Sequence, residues 1–174
     1  MDELARLDPL GFKQANKWPV TLVLDNVRSL HNVGSVFRTA DAFRVERLFL
    51  CGITGTPPHK ELHKTALGAT ETVNWQHFAD TQQAFDLLSS EGYKIYCIEQ
   101  TKDSIPLQSI VPAFPLALVF GNEVDGVSQS IINQADSCIE IPQFGSKHSF
   151  NIAVSAGIVL WDLWVKCKDT TLIG

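Results

Sequence analysis

Apolar residues along the chain gather in short runs, at residues 20–24, 48–51, 72–75, 94–98, 116–120 and 138–141. Most runs are rich in Val, Ile, Leu or Phe with few polar interruptions, the pattern of strands buried on both faces. Between them the spacing changes. Val36, Phe37, Ala40 and Phe43 recur at helical intervals within residues 33–43. Ala84, Phe85, Leu87 and Leu88 do the same within 81–90, and Gly92 supplies the stop. A short helix is predicted over 128–134 and a long one over 151–166, apolar almost all round. Strands alternating with helices predict an α/β fold, a mostly parallel sheet with helices on both faces. Ligands of such sheets bind beyond the carboxyl ends of the strands, which directs attention to the loops after Phe120 and Ile141. Residues 1–18 read as a polar leader containing one short helix.

The length of 174 residues fits a single domain over 1–174, large enough for a sizeable core. A composition 45% hydrophobic and 19% charged is that of a globular chain. The longest apolar stretch, 152–165, is too short for a membrane span and contains Ser155 and Asp162. The beginning, MDELARLDPL, is acidic and has no apolar core, unlike a secretion signal, so a cytoplasmic location is expected. Cys51, Cys97, Cys138 and Cys167 form no C-x-x-C pair and have no histidine at zinc spacing. Three of them sit in apolar runs and read as small buried hydrophobes; no metal site is expected. The formal net charge of −5 weighs against a nucleic-acid partner unless a local basic patch offsets it.

Familiar phosphate and nucleophile motifs are absent. There is no G-x-x-x-x-G-K-[ST], no G-x-G-x-x-G after a strand and no G-x-S-x-G. Chemistry concentrates instead in three segments. The first runs from Leu24 to Phe43, where a strand ends and a polar loop enters a helix near His31 or Asn32. Asn32 is a candidate cap there. Gly34 and Ser35 are expected in the first turn, leaving N–H groups free for an anion. Arg38 follows on a helix that looks buried, and a buried arginine needs a partner. The second segment carries Gly121-x-Glu123-x-x-Gly126 and then Ser128, directly after an apolar strand. Its glycines permit close backbone approach to a ligand. The third leaves a strand at Ile141-Pro142, passes Gly145, Lys147 and His148, and enters the long helix at Ser149-Phe150-Asn151. Either Ser149 or Asn151 can cap that helix. Each segment alone is also explained by ordinary turns and caps.

Together, in this order and spacing, the three segments resemble the SpoU/TrmH family of RNA ribose methyltransferases, within the SPOUT class. The resemblance rests on Asn32-x-Gly34 with Arg38, on Gly121-x-Glu123-x-x-Gly126, and on Ile141-Pro142 followed by Ser149-x-Asn151. It covers roughly residues 18–167, and residues 64–69 resemble the family's middle region. Phe150 stands where Leu or Met is more usual, and Asp125 where a basic or small residue is common. The resemblance implies a C-terminal trefoil knot, S-adenosylmethionine as cofactor bound in the knot, and a homodimer. No separate RNA-binding domain is expected, since residues 1–18 leave no room for one.

The implied reaction is methylation of a ribose 2′-hydroxyl in RNA, with transfer RNA favoured over ribosomal RNA because the chain is minimal. The resemblance assigns Arg38 to activating the hydroxyl, and its electrostatic role is the firmer one because an arginine is a poor base. Asn32, Glu123, Ser149 and Asn151 would orient Arg38 and the ribose. Backbone groups at Ile98, Glu99, Gln100, Gly121, Ile141, Pro142, Ser149 and Phe150 would hold the cofactor, with Ile141 and Phe150 flanking the adenine. Arg28, His31, Lys147 and His148, helped by Lys13 and Lys17, would meet the RNA. Ile152, Val159, Leu163 and Trp164 are candidates for a subunit interface, with the core of the single chain as the alternative. Two rival readings fit the same fold: a methyltransferase acting on an RNA base or a non-RNA substrate, and a non-catalytic RNA-binding or assembly factor.

Overall fold

A computed structural model describes residues 7–146 and 149–168. Seven parallel strands form one sheet in the order β3-β2-β1-β6-β4-β7-β5. They are β1 (Trp18–Asp25), β2 (Val45–Cys51), β3 (Trp75–Phe78), β4 (Lys94–Ile98), β5 (Ile105–Pro106), β6 (Leu116–Phe120) and β7 (Ser137–Glu140). The central strands β1 and β6 are almost wholly buried, which is why their residues read as continuous apolar runs.

Side-chain alternation divides those runs between two cores. Trp18, Leu22, Leu24, Leu118 and Phe120 face one core with α2 (Leu30–Ala42) and α7 (Ile152–Cys167). Val23, Phe49, Cys97, Ala117 and Val119 face the other, covered by α5 (Thr81–Ser90) and the short α6 (Gln129–Ile132). The α/β reading with helices on both faces therefore holds. All four cysteines are buried and free. Burial pushes the Cys51 thiol up to about 12, and raises that of Cys97 further.

Several expectations are corrected. The run 72–75 is not one strand: Ala69–Thr72 is a helical turn, α4, and β3 begins only at Trp75. A further helix, α3 (Lys60–Ala66), was not predicted. Its core contribution is small, Leu62 and Ala66, too few to produce a periodic signal. Leu67 and Gly68 both take left-handed backbone and break the chain between α3 and α4. Strand β5 escaped notice because it has two residues. The leader is partly structural. Helix α1 (Pro9–Gln14) buries Phe12, and Trp18 is fully buried at the start of β1.

At the carboxyl ends of the strands, buried polar groups pin the loops. The Thr54 hydroxyl donates to the Leu24 carbonyl (3.0 Å) and accepts from the Val27 N–H (2.9 Å). The buried Asp25 carboxylate accepts from the Thr81 hydroxyl, the Asn26 amide and the Ser128 N–H. A buried carboxylate needs such partners, and here they come from three loops.

Candidate active site

An open cleft of about 520 Å³ lies beyond the carboxyl ends of β4, β6 and β7. Its floor is apolar: Ile98, Phe120, Ile139, Ile141, Phe150 and Ile152. Its polar wall is the loop 121–127, whose shape follows from two glycines. A Cβ on Gly121 would lie 1.9 Å from the carbonyl carbon of Gly126, so only glycine lets the loop fold back on itself. Gly126 has φ +69°, and a Cβ there would meet Glu99 Oε2 at 2.2 Å. Glu99 then clasps the loop, accepting from the Val127 N–H (3.1 Å) and the Gln100 N–H (3.0 Å). Within the loop, Asn122 Oδ1 accepts from the N–H groups of Val124 (2.9 Å) and Asp125 (2.8 Å). The result is a rigid hook that holds Glu123 exposed at its tip.

The three segments meet at that tip. Asn151 caps α7 by accepting from the N–H groups of Ala153 (2.9 Å) and Val154 (3.4 Å). Since Oδ1 is committed to those donors, Nδ2 faces outward and donates to Asn32 Oδ1 at 3.0 Å. Asn32 must then turn its own Nδ2 to Glu123 Oε1, at 2.9 Å. Three side chains from distant parts of the chain thus form one directed relay, Asn151 to Asn32 to Glu123. Each amide orientation is fixed by its neighbour.

This arrangement corrects the reading of the first segment. Asn32 does not cap α2; Ser29 does, accepting from the Asn32 N–H at 3.3 Å, and that frees the Asn32 side chain for the relay. With the helix starting at Leu30, Gly34 lies in the second turn rather than the first. Gly34 is packed instead against α3: a Cβ would fall 2.2 Å from Thr65 Oγ1 and 2.3 Å from the Leu62 carbonyl oxygen. It is a contact point between two helices, not an anion site. Arg38 is exposed rather than buried, and no hydrogen bond or ion pair joins it to another described residue.

Of the residues expected around a cofactor, Ile98, Glu99, Gln100, Gly121, Ile141, Ser149 and Phe150 line the cleft, while Pro142 does not. Glu123, Ser149 and Asn151 line it as well; Asn32 reaches it through its two bonds, and Arg38 stands outside it. Arg28 is exposed and His31 pairs with Glu61 at 3.3 Å, both outside the cleft. Lys147 and His148 fall outside the described residues. Lys17 is engaged elsewhere, its ammonium over the Phe12 ring and donating to the Phe12 carbonyl. Sequence reasoning missed Asn122 and the clasp role of Glu99. An Asn directly after the first glycine was a usable turn signal.

Electrostatically the cleft is acidic. Glu99, Glu123, Asp125 and Glu140 line it, and no Lys, Arg or His does among the described residues. No group of three or more His, Cys, Asp or Glu placed to hold a metal occurs among the described residues.

A cleft at the ends of parallel strands, with glycine-dependent backbone in its wall and a polar relay at its rim, defines a nucleotide-type ligand site of the α/β class. The chain belongs to the SpoU rRNA Methylase family, which matches residues 19–161. It is similar to the tRNA (guanosine(18)-2′-O)-methyltransferase of Thermus thermophilus, with 30% identity over 82% of this chain and 73% of that one. Among solved structures it resembles the TrmH/SpoU tRNA modifying enzyme of A. aeolicus, with a TM-score of 0.83 and 26% identity over 93% of this chain and 81% of that one. It also resembles the AdoMet-bound rRNA methyltransferase of Sinorhizobium meliloti, with a TM-score of 0.80 and 25% identity over 92% of this chain and 61% of that one.

Proposed function

We propose that the protein methylates a ribose 2′-hydroxyl of RNA, with S-adenosylmethionine as methyl donor. The observation that carries this reading is the Asn151–Asn32–Glu123 relay at the mouth of an acidic, apolar-floored cleft. The cleft suits the cofactor. A cationic sulfonium is favoured among four carboxylates, an adenine fits against Ile141 and Phe150, and Gly121 lets the backbone of the polar wall close on itself beside the cleft. Bound there, S-adenosylmethionine supplies an activated methyl group to an oxygen nucleophile.

The chain's own residues supply position and field. Ile98, Glu99, Gln100, Gly121, Ile141 and Ser149 would hold the cofactor, with Pro142 shaping the turn beyond. The relay fixes Glu123 and Asn151 at the rim, where with Ser149 they would orient the ribose. Arg38, exposed and without a partner among the described residues, is available to stabilise negative charge on the ribose oxygen. A proton leaving that hydroxyl needs an acceptor, and the acidic rim or a substrate phosphate supplies one.

Transfer RNA is the favoured substrate, supported by the Thermus thermophilus relative. The working unit is a homodimer, and the helix face that supports this differs from the one expected. Ile152, Val159 and Leu163 are buried in the protein's own core. The opposite face of α7 exposes Val154 (50%), Trp161 (57%) and Val165 (42%), an apolar stripe at i, i+7 and i+11. We further assign the single-domain organisation and a C-terminal knot to the family fold. A cytoplasmic location follows from the substrate class.

The deciding experiment supplies methyl-labelled S-adenosylmethionine with unfractionated transfer RNA or ribosomal RNA and digests the product to nucleosides. Label on the sugar of a transfer RNA nucleoside is expected. Label on a base, or none with either RNA, overturns the reading.

A further inference from the structure

The acidic cleft raises a problem for the reaction just proposed, on which this inference rests. Among its described residues the cleft offers a phosphodiester four carboxylates, Glu99, Glu123, Asp125 and Glu140, and no cation, yet phosphate contacts supply most of the affinity for RNA. In a chain of net charge −5 the needed cations must be local.

They are gathered beside the relay, on a helix outside the three chemistry-bearing segments. Helix α3 exposes Lys60 and Lys64, and its cap His59 is exposed as well. Two contacts hold α3 against the entrance of α2. Gly34 admits the backbone of α3 at a distance no side chain would allow, and the Thr65 hydroxyl donates to the His31 carbonyl at 3.0 Å. His31 is the residue before Asn32 in the relay. One carboxylate, Glu61, organises the group: it meets Lys64 at 2.8 Å and His31 at 3.3 Å, and its own N–H donates to His59 Nδ1. The hydrogen bond from the Lys64 ammonium is the leading cause holding the Glu61 carboxyl below its ordinary value.

We propose that Lys60 and Lys64 of α3, with His31 and His59, seat the phosphodiester backbone of the RNA substrate next to the reacting ribose. Glu61 serves as an internal counter-charge that keeps these side chains assembled in the absence of RNA. The two lysines and two histidines are exposed, so they remain open to a polyanion, and the glycine contact fixes α3 relative to Asn32. Two sites of opposite sign are thereby set side by side, the acidic one for a cationic cofactor and the basic one for an anionic polymer.

The test measures binding of unfractionated transfer RNA across a salt series. For Lys60→Ala/Lys64→Ala the slope of log affinity against log salt is expected to flatten by about 1.4–1.8, at roughly 0.7–0.9 per lost phosphate contact. Glu61→Gln, which removes the counter-charge, is expected to tighten binding. Lys94→Ala is the control, on an exposed lysine at the opposite end of the sheet, and should leave the slope unchanged. Calorimetric titration with S-adenosylmethionine confirms that each variant keeps its fold. An unchanged slope in the double variant, or an equal loss with Lys94→Ala, overturns the assignment of this surface alone. If the unaltered protein binds S-adenosylmethionine but neither transfer nor ribosomal RNA, the RNA reading itself fails.

Discussion

Two halves of the carboxyl rim of the sheet are built by different means. Beyond β4, β6 and β7 the work is done by backbone: a hook of N–H groups closed over Asn122 and Glu99, with glycines wherever the chain touches itself. Beyond β1 and β2 the work is done by side chains on helices, with Asn32 and His31 on α2 and the lysines on α3. The first half is acidic and concave, the second basic and exposed. The difference matches what each must bind. A small cofactor is recognised by shape and fixed dipoles, whereas a long polyanion is held by mobile charges that tolerate many sequences.

Changes on one side should spare the other. The largest effect is expected from Gly121→Val, whose Cβ begins 1.9 Å from Gly126. Overpacking of this kind should weaken S-adenosylmethionine binding on the order of 100-fold, read by calorimetry, while RNA affinity stays the same. Next comes Asn32→Ala, which cuts the side-chain relay between the halves and strands Glu123 and Asn151. Methyl transfer should fall on the order of 10- to 100-fold with little change in cofactor affinity, as measured by single-turnover assays. If cofactor affinity falls equally, the relay belongs to the cofactor site and the division is wrong. On α7, Trp161→Glu puts a charge into the exposed apolar stripe; if the proposed dimer forms through that stripe, sedimentation should show a dimer for the parent protein and a monomer for the variant. The smallest effect concerns the thiols. With its pKa near 12, Cys51 should be about one part in ten thousand thiolate at pH 8, so alkylation of the folded protein should leave it unlabelled for hours.

The sequence exposed the apolar half of this design more readily than the polar half. Strands β1 and β6 are buried on both faces, so each position reports on itself. Helix α3 was invisible for the opposite reason: it shows the core only Leu62 and Ala66, and its other residues serve contacts set by Gly34 on α2. The cap assignments depended on single residues. Ser29 and Asn32 are both good caps by type, and only the folded chain shows that Ser29 takes the role and leaves Asn32 to Glu123. For α7 a nearly uniform apolar sequence hid which side faces inward. Packing against α2 decides that, and local sequence does not contain it. The cleft residues were legible because motif order placed them at strand ends; the sign of its charge was not, since Glu99 and Glu140 belong to no motif.

The buried Asp25 carboxylate has a bearing on motion. It joins the turn after β1, the start of α5 and the exit of the glycine hook through Asn26, Thr81 and Ser128. A swing of the hook away from the sheet must break the Ser128 bond and leave a buried carboxylate short of a donor, which disfavours independent opening. The two halves should therefore breathe as one unit. In a hydrogen-exchange experiment the Ser128 amide should exchange in step with the amides around Val27, and an Asp25→Asn variant should let the two fall out of step.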